Sequence, residues 1–320
     1  MKKSIYKTVL FAFLTGFSGH AIAQEIRIEG IKFVHPIIEK WVTEYGKEYP
    51  EARFEVKVVP AKEARSSGLS VIAGHVSEEE ANGRDRVVYT GRYALIPVSN
   101  RNNPLIEKAG KGLKKKELKN LVFERDVLDD EFDENSGKDK YAATVYSRSG
   151  QAATTLALAE YFDREPEHIR GKKIVGDEIY LLNALQKDES GIAFNTLNYV
   201  YDLKTRQLKS HLTILPLNLK SEQREALLSE NIDKAISLLE TARIETIPVD
   251  RFGIVIPEEH AGNAEILRFA NWILEQGQQY NHEFGFLSLD ARTLSAQKQE
   301  LNSEGSLTFV KQGQVLLKTD

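Results

Sequence analysis

Arg148, followed by Ser149 and Gly150, is the stretch of this chain best suited to chemistry. The guanidinium brings a permanent charge and a planar fork of N–H donors, matched to phosphate, sulfate or carboxylate. Residues 141–146 alternate β-branched and aromatic side chains and read as a strand. Residues 152–162 are rich in helix formers, with Leu158 and Phe162 four apart. The arginine and the Ser-Gly pair therefore occupy a strand-to-helix turn. There, free backbone N–H groups and the positive helix end point outward together and favour an anion. The same residues also read as an ordinary helix start capped by Ser149, with Arg148 on the surface.

No other stretch makes a case for catalysis. There is no Gly-x-Ser-x-Gly elbow, no Gly-Lys-Ser/Thr phosphate loop and no His-Glu-x-x-His. His35, His75, His168, His211, His260 and His282 are scattered without metal-ligand spacing and read as surface or capping residues. Asp129-Asp130 falls in an acidic stretch, residues 124–140, that reads as surface loop. Residues 133–139 there superficially resemble a calcium loop, but the glycine is out of phase and no bidentate glutamate follows. The absence of cysteine rules out disulfides, thiolate chemistry and cysteine metal sites. The expectation is a non-enzymatic protein without metal or cofactor.

Hydrophobic residues make up 41% and charged residues 28% of 320 positions, the balance of a soluble globular protein with room for two domains. The beginning of the chain reads differently. Lys2, Lys3 and Lys7 precede an apolar run over residues 9–17, and Ala21-Ile-Ala23 then supplies a small-x-small cleavage pattern. That order is a secretory signal peptide, residues 1–23, with cleavage near Ala23 leaving Gln24 first. No later stretch reaches the ~18 apolar residues needed to cross a bilayer. The expectation is an exported, soluble, monomeric protein of a bacterial periplasm, with no membrane insertion. Losing the leader removes three lysines and no acids, moving the formal net charge from −4 to −7. That balance argues against nucleic acid and anionic membrane as partners, but a buried site for a small anion depends on local groups.

The elements needed to position the Arg148 turn alternate along the chain. Residues 25–29 read as a strand, followed by a helix with Pro36 near its first turn and Ile37, Ile38, Trp41 and Tyr45 in one stripe. A strand at 53–59 completes β-α-β, and 62–73 reads as a short helix and a third strand. Residues 86–98 form a β-rich run long enough to pass from one domain to another. A basic amphipathic helix at 113–123 carries Lys114, Lys115 and Lys116 on its solvated face. Past the Arg148 turn come strands near 173–175 and at 191–195, a helix at 177–186 and one long helix over about 221–239. A strand at 252–256, a helix at 264–280 and a tail hairpin around Gln312-Gly313 close the chain. Alternation of this kind predicts an α/β architecture with two open sheets.

Several short motifs carry a resemblance. Gly30-Ile-Lys-Phe-Val-His-Pro36 is similar to the Gly-x-Ser/Thr-Phe-Pro-x-Pro opening of periplasmic phosphate-binding proteins from ABC transporters. Arg148-Ser149 resembles that family's Arg-Ser-Asp-Gly-Ser-Gly-Thr turn, and Ser190-Gly-Ile-Ala-Phe-Asn195 its Gly-x-Ile-Gly-Tyr strand. Phe269-Ala-Asn-Trp272, Gln276-Gly277 and Gly285-Phe-Leu-Ser-Leu289 look like its closing segment. The resemblance implies a type II periplasmic-binding-protein fold, two open-sheet α/β domains closing like a hinge over ligand. Residues 24–97 and 249–320 would build domain I, and 98–248 domain II. It also implies oxygen ligands from the first loop at Lys32 and Phe33, the arginine at Arg148, and hydroxyls at Ser149 and Thr154, with Gly150 in the binding turn.

The departures fall in that site. Lys32 replaces a small hydroxyl residue, Gly150 an aspartate and Ala152-Ala153 a Ser-Gly pair. The family's Gly-Ser-Gly segment has no clean counterpart in residues 60–68. Its Asp-x-x-x-Ser/Thr segment has become Ile72-Ala-Gly-His75, which removes the usual acceptor for the proton of hydrogen phosphate. Two functions stand open. One is a solute-binding protein delivering a small oxyanion, phosphate the leading candidate, to an inner-membrane ABC transporter permease. The other is a degenerate member acting as an accessory or sensory protein through protein contacts.

Overall fold

The computed structural model describes residues 25–58, 68–74, 84–124, 141–150 and 152–302. The leader, the 59–67 stretch, the calcium-like 133–139 loop and the tail hairpin fall outside the described residues.

β1 (Ile26–Gly30), α1 (His35–Glu48) and β2 (Phe54–Val58) open the chain as β-α-β, with the two strands parallel. Pro36 stands in the first turn of α1, where its missing N–H leaves no bond unmade. Ile37, Ile38, Trp41 and Tyr45 are all buried, each worth about 1.5–3 kcal/mol when withdrawn from water. The Trp41 indole N–H donates to the Gly277 carbonyl at 2.9 Å, and the Tyr45 ring stands edge-on to Phe269 at 5.1 Å. These contacts tie α1 to α9 (Ala264–Glu275), far along the chain.

β3 (Leu69–Ala73) lies parallel to β1 and antiparallel to β9 (Val249–Ile256). The spine of the sheet is the 15-residue β4 (Arg86–Asn100). Its first half pairs with β9; its second half pairs with β7 (Gly191–Thr196) and β8 (Leu212–Ile214). β7 in turn runs parallel to β5 (Thr144–Arg148), and β5 parallel to the edge strand β6 (Lys172–Ile174). The path is β2-β1-β3-β9-β4-β7-β5-β6, with β8 attached to β4. The two expected open sheets are thus joined through β4 into one curled sheet. All six residues of β7 are buried, as befits a strand flanked by neighbours on both sides.

Among the described residues the remaining α-helices are α2 (Leu105–Lys108), α3 (Lys115–Val122), α4 (Ala153–Tyr161), α5 (Ile179–Lys187), α6 (Leu197–Val200), α7 (Ser221–Leu228), α8 (Ile232–Thr241) and α10 (Ala291–Asn302). Among the described residues no helix is long and apolar enough to cross a membrane.

Four expectations change. The single helix over 221–239 is two, because Glu230 adopts φ +57 and Asn231 then caps α8, accepting from the Asp233 and Lys234 N–H groups. The helix expected to reach residue 280 ends at Glu275, and Gly277–Tyr280 continues as a 3₁₀ turn. The strand before the binding turn runs on to Arg148, so the arginine belongs to β5 itself. Lys115 leaves the solvated face of its helix and sets Nζ 4.0 Å over the Tyr161 ring.

Candidate functional site

Arg148 ends β5 and pairs in register with Ile174, which ends β6. Two parallel strands therefore release their chains at one edge, the carboxyl edge where open α/β sheets hold ligands. After β5 the chain bends through Ser149 and Gly150, at φ +70, into α4. After β6 it bends through Gly176, at φ +113, toward α5. The Ser149 N–H donates to the Ile174 carbonyl at 2.9 Å and stitches the two turns together. Gly176 is constrained twice over, by its left-handed backbone and because a Cβ there would meet the Tyr180 ring at 2.5 Å. Asp177 and Glu178 follow directly.

Glu178 is the hub of the arrangement. Its Oε1 accepts from Arg148 Nη1 at 3.2 Å and from the Thr154 hydroxyl at 2.8 Å. Asn195 Nδ2 donates to the Glu178 backbone carbonyl at 3.0 Å, anchoring the turn on β7. Thr154 lies in the first turn of α4, whose N-cap residue Ala152 makes no side-chain cap. The Glu178 carboxylate therefore supplies the negative charge that this helix end favours, and Ser149 is not the cap. Glu178 is only 5% exposed, and Glu178 Oε2 and Arg148 Nε are both buried without a hydrogen-bond partner. Burial drives the Glu178 carboxyl above its ordinary range, against the pull of the Arg148 charge and the Thr154 hydroxyl.

Asp177 makes a second pair, with Lys32 from the loop after β1. The lysine side chain is 66% exposed and the aspartate side chain 8%. Burial would raise Asp177, but hydrogen bonds from Lys32, Tyr199 and the Ile179 N–H hold it below its ordinary range. The Asp177 hydrogen bond and charge raise Lys32 in return. Burial first, then Asp177, push the Tyr199 hydroxyl far up. Close by, Asn198 Nδ2 donates to the Phe33 carbonyl at 2.8 Å, while the Thr196 hydroxyl donates to Asn198 Oδ1 at 2.6 Å. The loop after β1 is thus fastened at Lys32 and Phe33 to the β6–α5 turn and to α6.

Lys32, Arg148 and Thr154 therefore converge on consecutive carboxylates. Phe33 turns its ring into the core, edge-on to Tyr93 at 5.1 Å, and its backbone carbonyl is already engaged by Asn198. Ser149 contributes a bond between the turns, and Gly150 is exposed. Sequence reasoning missed Asp177, Glu178, Asn198 and Tyr199. One signal was present: Gly176-Asp177-Glu178 after a short strand is a second strand-to-helix turn, parallel to the first. Where Ile72-Ala-Gly-His75 lacks a carboxylate, β9 brings one alongside. Gly74 N–H donates to the Arg251 carbonyl at 2.8 Å, and a Cβ at Gly74 would lie 3.5 Å from Asp250 Oδ2. Burial raises the Asp250 carboxyl, whose Oδ2 accepts from the Tyr93 hydroxyl at 3.2 Å.

Among the described residues no cluster of three His, Cys, Asp or Glu side chains could hold a metal. His35 Nε2 lies 3.2 Å from Glu39 and His282 Nε2 2.8 Å from Glu240, so both rings are engaged by neighbouring carboxylates.

No protein-family model and no curated protein sequence matches the chain. Solved structures do match it. A protein assigned as a phosphate ABC transporter substrate-binding protein, with bound phosphate, from Clostridium perfringens superposes at a TM-score of 0.56 and 16% identity, covering 83% of this chain and 100% of its own. An ABC-type phosphate transport receptor from Vibrio cholerae gives 0.55 and 12%, covering 82% and 100%. PstS from Borrelia burgdorferi gives 0.51 and 14%, covering 84% and 100%. The chain shares the type II periplasmic-binding-protein fold of these structures, at 12–16% sequence identity.

Proposed function

We propose that this protein is a periplasmic solute-binding protein for a small oxyanion, phosphate the leading candidate, which it hands to an inner-membrane ABC transporter. One observation carries the reading: Arg148 and the Thr154 hydroxyl at the start of α4 meet on the Glu178 carboxylate at the carboxyl edge of the sheet, with Lys32 on the adjacent Asp177. A carboxylate seated there is itself an oxyanion, held by the donors that phosphate or sulfate would use. The chain from 24–97 with 249–320 would form one hinged unit and 98–248 the other, with Lys32–Asp177 and Asn198–Phe33 as contacts between them. Export, with cleavage near Ala23, belongs to the same reading; N-terminal sequencing of the protein recovered from periplasm tests it.

A second reading has its own support. Arg148 and Lys32 are already paired with Glu178 and Asp177, which suits a protein that kept the fold, lost the ligand and acts through protein contacts. Calorimetric titration with phosphate and sulfate separates the two. Truncating one partner of a buried charged contact costs about 2–5 kcal/mol, roughly 30-fold to several thousand-fold in affinity. The first reading expects binding by the wild type and a loss of that size in Arg148→Ala. No binding of either anion, or equal binding by Arg148→Ala, favours the second.

A further inference from the structure

We propose that Glu178 is a built-in stand-in for the anionic ligand, and that an oxyanion enters the site only as Glu178 takes up one proton and gives up Arg148. The inference rests on the oxyanion reading above and adds to it a competitor and a coupling. Its basis is geometric. The Glu178 carboxylate holds both the Arg148 Nη1 and Thr154 hydroxyl donors through a single oxygen. Glu178 Oε2 and Arg148 Nε, an acceptor and a donor, are closed off from solvent with nothing to bond. An incoming anion reaches the guanidinium fork only when the carboxyl moves aside, and Nε is a buried donor still unused.

Charge then decides what must accompany the anion. Arg148 and Lys32 are balanced one for one by Glu178 and Asp177. A dianion added to that set in a buried place faces two resident carboxylates, a repulsion that one proton on Glu178 relieves. The neighbours leave Glu178 as the group to take it. Arg148 from β5 offers only N–H donors and Thr154 from α4 a hydroxyl, so neither takes up the proton. Asp177 beside it is held down by Lys32 and Tyr199, while Lys32 from the β1 loop, Tyr199 from α6 and Tyr93 from β4 are all pushed upward. Burial already inclines Glu178 toward its neutral form.

The probe is sulfate, whose own charge does not change near neutrality, titrated into the mature protein at about pH 5.5 and about pH 8, the lower favouring the neutral and the higher the ionised form of Glu178. Each pH is run in two buffers of different ionisation enthalpy, so that proton uptake is read directly. For the wild type, affinity should weaken by up to about tenfold per pH unit where Glu178 is ionised, with about one proton taken up per sulfate at the higher pH. Glu178→Gln should bind more tightly than wild type at the higher pH, with no proton uptake and little pH dependence. Wild-type binding that is equal at both pH values and free of proton uptake overturns the inference even if Glu178→Gln does not fold. If that binding is lost in Arg148→Ala, the oxyanion reading survives alone. Absence of sulfate and phosphate binding by wild type and Glu178→Gln at both pH values overturns both.

Discussion

Asp177 and Glu178 are adjacent residues, each facing one cation, yet the fold treats them in opposite ways. Asp177 is bonded by Lys32, Tyr199 and the Ile179 N–H, so its charged form is favoured. Glu178 is more deeply enclosed, and its two donors share one oxygen while the other stays empty, so its neutral form is favoured. The difference lies in the number of donors per carboxylate and in burial, not in the count of charges. One acid is a fastener for the loop after β1. The other is charged at a cost.

Stability measurements can break this contrast. The largest effect is expected from Arg148→Ala, which leaves Glu178 buried without its cation. Removing one partner of a buried pair costs about 3–5 kcal/mol while the other remains ionised. Urea unfolding should show a loss that shrinks from about pH 8 to about pH 5, as acid favours the neutral form of Glu178. Equal losses at the two pH values would mean that Glu178 does not titrate between them.

Asp177→Asn comes next. A carboxyl held below its unfolded value stabilises the fold above that value, and the contribution is lost as pH falls through the folded one. The variant should lose about 1 kcal/mol near neutrality, in the range of a single hydrogen bond, with the deficit fading in acid. Glu178→Gln carries the opposite sign. A carboxyl raised in the fold contributes fully below its unfolded value, and that contribution drains away as pH rises through the folded one. The stability difference between Glu178→Gln and wild type should therefore shift in favour of the variant from acid to pH 8. A parallel pH dependence for the Asn and Gln variants would erase the distinction between the two acids. Lys32→Ala should have the smallest effect on unfolding, since an exposed ammonium is screened by water and salt.

The same pair marks how far the sequence could be read. The stripe of Ile37, Ile38, Trp41 and Tyr45 has helical spacing, and all four are buried against partners that helical periodicity alone requires. The strand-to-helix turn at Arg148 was legible because strand and helix formers flank it. The break in the helix over 221–239 was not, because one residue in the left-handed region leaves no mark on apolar spacing. Glu178 was hidden for a different reason. An acid at a helix start has an ordinary local explanation, and its contacts with Arg148 and Thr154 arise only when β5 and β6 lie side by side. At Phe33 a matching motif gives the place on the loop but not the direction of the side chain, whose ring packs into the core against Tyr93 and Phe286.

The central claim, that Arg148 and Thr154 form an oxyanion site now filled by a carboxylate of the chain itself, is tested most directly by a crystal of the protein grown with selenate. Anomalous scattering locates that sulfate analogue without ambiguity. The account predicts selenium at the start of α4, oxygens within hydrogen-bond distance of the Arg148 guanidinium and the Thr154 hydroxyl, and the Glu178 carboxyl displaced from both. Selenate found elsewhere or not at all, with Glu178 still bonded to Arg148, would contradict it.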